Sequence, residues 1–286
     1  MLGDEDGNLA ANYHGTTLFT QFLRGMWPDL AARLAEAGLY EVRAIRPNSL
    51  ADLEAAFREA DTGPRKIAAF FHEFVMMNYR AWRLEPAFVR RAYELCANHD
   101  VPAIADEIQT CVWSPGLFAY QEYGVLPNMA VVGKGFPGGE FAGSRLIFDA
   151  TYDRLPQFGA LVTNGQEELT ALAYLVTIRW AEANTATTRA IGDHYESRIR
   201  ELAGRYPDLV SAVEGRRHLN GLSFHRLDEA KRFTGWLNRA GLDISVQTYK
   251  TSCPPTALTK LPLIATRAVA DFVVDRMAEA LAATRG

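Results

Sequence analysis

Cysteine is scarce in this 286-residue chain: Cys96, Cys111 and Cys253 are odd in number and widely spaced. They provide neither a disulfide framework nor the paired spacing of a zinc site, and they suit a reducing compartment. The cytoplasm is the expected location. No apolar run approaches the roughly 20 residues of a bilayer span. The acidic start MLGDEDGNLA lacks the basic-then-apolar order of a signal peptide, so no membrane association is expected. A net charge of −4 and a pI near 5.9 leave no basic footprint for nucleic acid. Lysine is rare as well, with five in the chain, so the cationic surface is mostly arginine and an apolar-flanked lysine stands out. His14, His72 and His99 have no metal-ligand spacing between them; local hydrogen bonding is their expected role. What is present is ordinary for a soluble globular protein, 48% hydrophobic and 22% charged, and long enough for one large domain and a smaller one.

Hydrophobic spacing predicts helices over 28–38 and 49–60, the second capped by Asn48-Ser49, with a short strand over 40–45 between them. A strand over 66–72, a helix over 86–98 and a strand over 101–105 follow. This β-α-β alternation predicts a mostly parallel sheet with crossover helices. Two more strands, 129–133 and 144–148, flank a glycine-rich loop. From 167 to 203 the pattern is helical, with Leu169, Leu172, Leu175 and Ile178 on one face. Strand, helix, strand, strand and helix then follow at 219–225, 227–239, 242–249, 259–265 and 267–283. The expected organisation is a large α/β domain over 1–186 and a small C-terminal α/β domain over 187–286.

Chemistry concentrates at two strand ends. Val101-Pro-Ala-Ile-Ala runs into Asp106-Glu107-Ile108-Gln109, and Val131-Val132-Gly133 runs into Lys134-Gly135. The carboxyl ends of strands in an open α/β sheet face the ligand crevice, so Asp106 and Lys134 are expected in one site. An acid and an amine so placed match the needs of pyridoxal phosphate: the lysine forms a Schiff base and the acid keeps the pyridine nitrogen protonated. Each residue alone also fits a plainer role, a strand-end cap for Asp106 and a surface loop residue for Lys134. A phosphate-binding Walker loop is excluded, because Lys134 is followed by Gly135 and position 128 is Asn. The spacing of Gly133-Lys-Gly-Phe-Pro-Gly-Gly139 excludes a dinucleotide fingerprint too.

Together the segments DEIQT, SPGLFAYQEYGVLPNMAVVGKG and LVTNGQEEL resemble the class III aminotransferases of the fold-type I pyridoxal phosphate enzymes. Asn12-Tyr13-His14-Gly15 is similar to the family's aromatic-His-Gly motif, and His72-Glu73-Phe74 falls at its Glu-Pro segment. The resemblance implies a fold-type I α/β architecture, pyridoxal 5'-phosphate as cofactor, and transfer of an amino group from an amino acid or amine to a 2-oxo acid or aldehyde by a ping-pong Schiff-base route. It implies that Lys134 carries the cofactor and shuttles the proton, while Asp106 pairs with the ring nitrogen. Gln109 would contact the ring's 3'-oxygen, and Tyr13, beside His14, would stack on the ring. Thr163 would bind the phosphate of the neighbouring subunit, which implies a homodimer with shared active sites. Glu73 and Lys260 are the candidate substrate contacts. On their own, Tyr13 equally suits a packed aromatic and Glu73 a strand-end acid facing an arginine.

The departures matter as much. Family members carry more than 100 residues before the aromatic-His-Gly motif, including a Gly/Ser-rich loop that makes most phosphate contacts; here 12 residues precede Tyr13. The expectation is a fragment, a chain completed by a separate N-terminal polypeptide, or a degenerate homologue serving as a non-catalytic subunit. Each lost charge-assisted phosphate bond is worth ~1.5–3 kcal/mol. Phe74-Val-Met-Met-Asn-Tyr79 replaces a polar segment after Glu73, and Cys111-Val112-Trp113-Ser114 replaces a Gly/Arg-containing turn, predicting a bulkier, less basic entrance. Lys260, in Thr259-Lys260-Leu-Pro-Leu263, stands where the family often has an arginine, and lacks its bidentate fork. The same architecture hosts decarboxylase, aminomutase and racemase chemistry. An unrelated doubly wound enzyme, with Lys134 incidental, is the remaining reading.

Overall fold

The computed structural model describes residues 32–34, 36–38, 42–136, 143–156, 159, 168–247 and 253–286. They fall into two compact units. One comprises 48–74 and 84–190; the other takes in 75–83 and 191–286.

In the first unit, α1 (Leu50–Thr62) starts where Ser49 accepts a hydrogen bond from the Asp52 N–H, a cap worth about 1 kcal/mol. Its buried side chains are Leu53 and Phe57. Strand β1 (Phe70–Glu73) leads through Leu84 to α2 (Pro86–Asn98), which opens with proline in its first turn and buries Phe88, Val89, Ala92, Leu95 and Cys96. Arg91 of α2 donates to Glu54 of α1 at 2.9 Å. Strands β4 (Ala103–Asp106), β5 (Met129–Val132) and β6 (Arg145–Phe148) complete a four-stranded sheet in the order β1-β4-β5-β6. The first three strands are parallel and β6 is antiparallel. The α/β expectation is met, because short apolar strands separated by a helix can pair in parallel only through such crossovers. Between β4 and β5 lies the short α3 (Ala119–Tyr123), ended by Gly124 in the left-handed region at φ +66°. Helix α4 (Glu168–Ala183) buries Thr170, Tyr174 and Ala181, while Leu169, Leu172 and Leu175 are exposed. The apolar face read from the sequence thus points outward in this chain. Helix α5 (Thr185–Gly204) continues into the second unit.

The second unit is an antiparallel sheet of β7 (Val210–Arg216), β8 (Leu219–Phe224), β9 (Ser245–Gln247) and β10 (Thr256–Lys260), in the order β7-β8-β10-β9. Its core joins Tyr195, Ile199 and Leu202 of α5 to Leu222 and Phe224 of β8, Phe233 and Leu237 of α6 (Leu227–Arg239), and Val274 and Met277 of α7 (Arg267–Arg285). Each such large apolar side chain contributes about 1.5–3 kcal/mol by leaving water. The hairpin of β2 (Val75–Met76) and β3 (Trp82–Arg83) also belongs here: Val75, Met77 and Ala81 cluster with Leu219. Its turn is clamped by Gln247, which accepts from the Arg80 N–H at 2.8 Å and donates to the Asn78 carbonyl.

Several elements differ from expectation. Residues 42–46 are not a strand. Strand β7 and the β2–β3 hairpin were not legible, because their residues do not alternate cleanly and the turn depends on Gln247, nearly 170 positions away. The expected strand over 259–265 instead occupies 256–260, since Pro262 cannot donate to the ladder. The expected helix over 28–38 lies largely outside the described residues.

Candidate active site

At the carboxyl edge of the parallel sheet, Asp106 pairs in register with Glu73 of β1 on one side and with Val131 of β5 on the other. Asp106 and Glu73 are both buried. Asp106 accepts a hydrogen bond from the Ile108 N–H at 2.9 Å, which turns the chain sharply at the strand end. Two residues past the end of β5, Lys134 occupies a tight turn closed by the Phe136 N–H, which donates to the Gly133 carbonyl at 3.1 Å. Lys134 is exposed in this chain and has a left-handed backbone at φ +49°, which costs a side-chain-bearing residue roughly 1–2 kcal/mol. Gly133 is buried: a Cβ there would lie 3.4 Å from the Gly143 carbonyl.

Glu107 organises the segment between these strand ends. Its carboxylate is fully buried, accepting from the Tyr120 N–H at 2.9 Å and from the Thr110 hydroxyl. Its backbone N–H donates to the Val131 carbonyl at 2.9 Å, and its carbonyl accepts from Cys111 at 2.8 Å. Burial raises its carboxyl to about 7, against the opposing hydrogen bonds from Thr110, Tyr120 and Ala119; the neighbouring Asp106 charge raises it further. The loop beyond it reaches the lysine turn twice: Cys111 Sγ lies 3.6 Å from the Gly133 carbonyl, and the Trp113 indole covers Gly135. Phe136 is buried beside Phe118 and Tyr174, with ring centroids 5.9 and 5.3 Å away.

Glu73, Asp106, Gln109 and Lys134 therefore lie within one unit, on strand ends and the loops that leave them, with Gln109 half-buried. Lys260 ends β10 in the other unit. Tyr13, His14 and Thr163 lie outside the described residues. His72 shares a hydrogen bond with Tyr93 at 3.0 Å, and His99 bonds Leu95 and Asp61, which are local structural roles. Among the described residues no cluster of three potential metal ligands occurs, and no helix is long and apolar enough to cross a membrane. Glu107 and Trp113 have contacts here that sequence reasoning did not assign to them. The DE pair hinted at the first; nothing local could reveal that the indole of the second meets a glycine 22 positions on.

A sequence model of the family described as aminotransferase class-III matches residues 10–281. The chain belongs to that family. It is 28% identical over 221 residues to the 5-aminovalerate aminotransferase DavT of Pseudomonas aeruginosa, covering 71% of this chain and 50% of DavT. To the acetylornithine aminotransferase of Synechocystis it is 27% identical over 217 residues, covering 74% and 49%. The crystal structure of the ornithine aminotransferase from Toxoplasma gondii superposes with a TM-score of 0.76 at 20% identity, covering 97% of this chain and 62% of that one. The fold is thus that of the class III aminotransferases, and the chain spans about half the length of the curated relatives it matches.

Proposed function

We propose that this chain is a pyridoxal phosphate-dependent aminotransferase, moving an amino group from an amino acid or amine to a 2-oxo acid or aldehyde in two half-reactions. The observation that carries the reading is the convergence at one sheet edge of buried Asp106 and the strained Lys134 turn, tied together by the Glu107 loop. Pyridoxal phosphate, when bound, supplies an electron sink for the carbon bearing the amino group. A buried carboxylate and a primary amine on neighbouring parallel strand ends are the donor set such a group requires. In this reading Asp106 holds a proton at the pyridine nitrogen, and the low-polarity surroundings strengthen that pairing. Lys134 Nζ binds the cofactor, then takes and returns the proton at the substrate's Cα. Gln109 meets the ring oxygen, Glu73 and Lys260 face the substrate, and Tyr13, His14 and Thr163 complete the cofactor contacts.

A homodimer in the cytoplasm, with residues 1–186 as the cofactor-binding domain and 187–286 as the small one, completes the proposal. The division of the chain between Ala190 and Ile191 supports the boundary near 187, with residues 75–83 grouping with the C-terminal unit, and the exposed leucines of α4 support self-association. The exposure of Lys134 favours a second reading, in which a separate polypeptide covers the site before the cofactor is held. The test is spectroscopic. Pyridoxal phosphate added to the purified protein should give a near-visible absorbance band that borohydride removes and Lys134→Ala lacks. A band that forms only with a co-expressed N-terminal polypeptide supports the second reading; no band in either case refutes both.

A further inference from the structure

We infer that Trp113 is a positioning residue for Lys134, holding the lysine-bearing turn from outside; its functional meaning rests on the cofactor role proposed for that lysine. The indole occupies the space a side chain at Gly135 would need: a Cβ there would fall 2.1 Å from Trp113 Cη2 and 2.2 Å from Cζ3. Atoms that close mean the ring lies flush on the glycine backbone, directly after Lys134. Cys111 Sγ, 3.6 Å from the Gly133 carbonyl, touches the same turn. One hydrogen bond closes it, from the Phe136 N–H to the Gly133 carbonyl, across a lysine whose left-handed backbone is unfavourable in isolation.

The indole itself is held from β4. Thr110 bonds the buried Glu107 carboxylate, the Ser114 N–H donates to the Thr110 carbonyl at 3.2 Å, and the Val112 N–H donates to the Leu117 carbonyl at 2.7 Å. Val112 and Leu117 are themselves left-handed, at φ +61° and +84°, so this loop has few other conformations consistent with its hydrogen bonds. One loop, rooted at the proposed ring-nitrogen partner, thus presses on the turn that carries the proposed cofactor lysine. Phe136, packed near Phe118 and Tyr174, anchors the turn's far end. Trp113 holds Gly135, the residue between Phe136 and Lys134.

The test uses two readouts on the full chain. In Trp113→Gly the Phe136 amide should exchange with deuterium about tenfold faster, while the amides of β4 keep their protection. Reductive labelling of Lys134 by pyridoxal phosphate and borohydride should slow about tenfold, with labelling of Lys66 and Lys231 unchanged. Trp113→Phe should restore most of both signals, since a smaller aromatic ring can still lie on the glycine. Gly135→Ala, which keeps the indole but displaces it, should reproduce the loss. Unchanged exchange and labelling in Trp113→Gly and Gly135→Ala would overturn the inference, as would a loss of protection spread over β4 and β5. If the exchange responds but Lys134 is never labelled even in the parent protein, the clamp stands and the cofactor role of Lys134 falls.

Discussion

A carboxylic acid fully removed from solvent, one residue from the proposed ring-nitrogen partner, is the most consequential single side chain outside the assigned set. Glu107 has its carboxyl raised to about 7, chiefly by burial. In the unfolded chain its pKa is ~4.3. A raised carboxyl favours the protonated native state, so this contribution is fully present below about pH 4.3 and is lost as pH rises through 7. Over that window it amounts to on the order of 3 kcal/mol. Glu107→Gln should retain the neutral pattern, its amide oxygen accepting from Tyr120 and its amide NH2 donating to Thr110. Urea midpoints measured near pH 5 and pH 8 should therefore differ less for Glu107→Gln than for the parent. An identical pH dependence in both proteins would remove Glu107 from this role. Sequence reasoning found Asp106 through its strand-end position and assigned Glu107 no role. Burial separated the two, because only the packed loop from Thr110 to Tyr120 encloses the second carboxylate.

Among the elements, the β7–β8 hairpin contains a second buried titratable group. His218, between the strands, is fully buried, neither ring nitrogen has a hydrogen-bond partner among the described residues, and the imidazole packs on Gly192 of α5. Burial lowers its pKa to about 4, the adjacent Arg217 charge lowers it further, and Asp193 opposes this. A depressed histidine is neutral in the fold but protonates near 6.5 when unfolded. Its stabilising contribution is present above about pH 6.5 and is lost as pH falls through 4, about 3 kcal/mol in all. His218→Phe should thus flatten the acid limb of the stability profile, as read by thermal melts between pH 7 and about pH 4. A parallel shift with an unchanged acid limb would count against it. Helices with clear start signals and periodicity, such as α1, α2 and α6, were legible within a residue or two. The two-residue strands were not, since a strand so short is defined by its partner rather than by its own pattern.

For the molecule as a whole, the apolar surface left exposed is the dominant feature. Leu169, Leu172, Leu175 and Val176 of α4, and Leu146, Ile147 and Phe148 of β6, are all exposed within one unit. Exposed apolar side chains of this kind bind hydrophobic dyes and promote association. The double substitution Leu169→Lys, Leu172→Lys should lower dye fluorescence about twofold and raise the concentration at which the protein self-associates, with far-UV circular dichroism unchanged. Undiminished dye binding would place the accessible apolar surface elsewhere. The periodicity of α4 showed that it has an apolar face, yet could not say that Thr170, Tyr174 and Ala181 turn inward instead. Sequence by itself determined the α/β alternation, the family, and the strand-end positions of Asp106 and Lys134. Those depend on local periodicity, turn chemistry and spacing along the chain. Tertiary structure alone decided that Glu107 is sealed from water, that the His218 ring nitrogens meet no partner among the described residues, and that the Trp113 indole lies on Gly135. Burial and contact are properties of surfaces brought together from distant positions, and no local pattern encodes them.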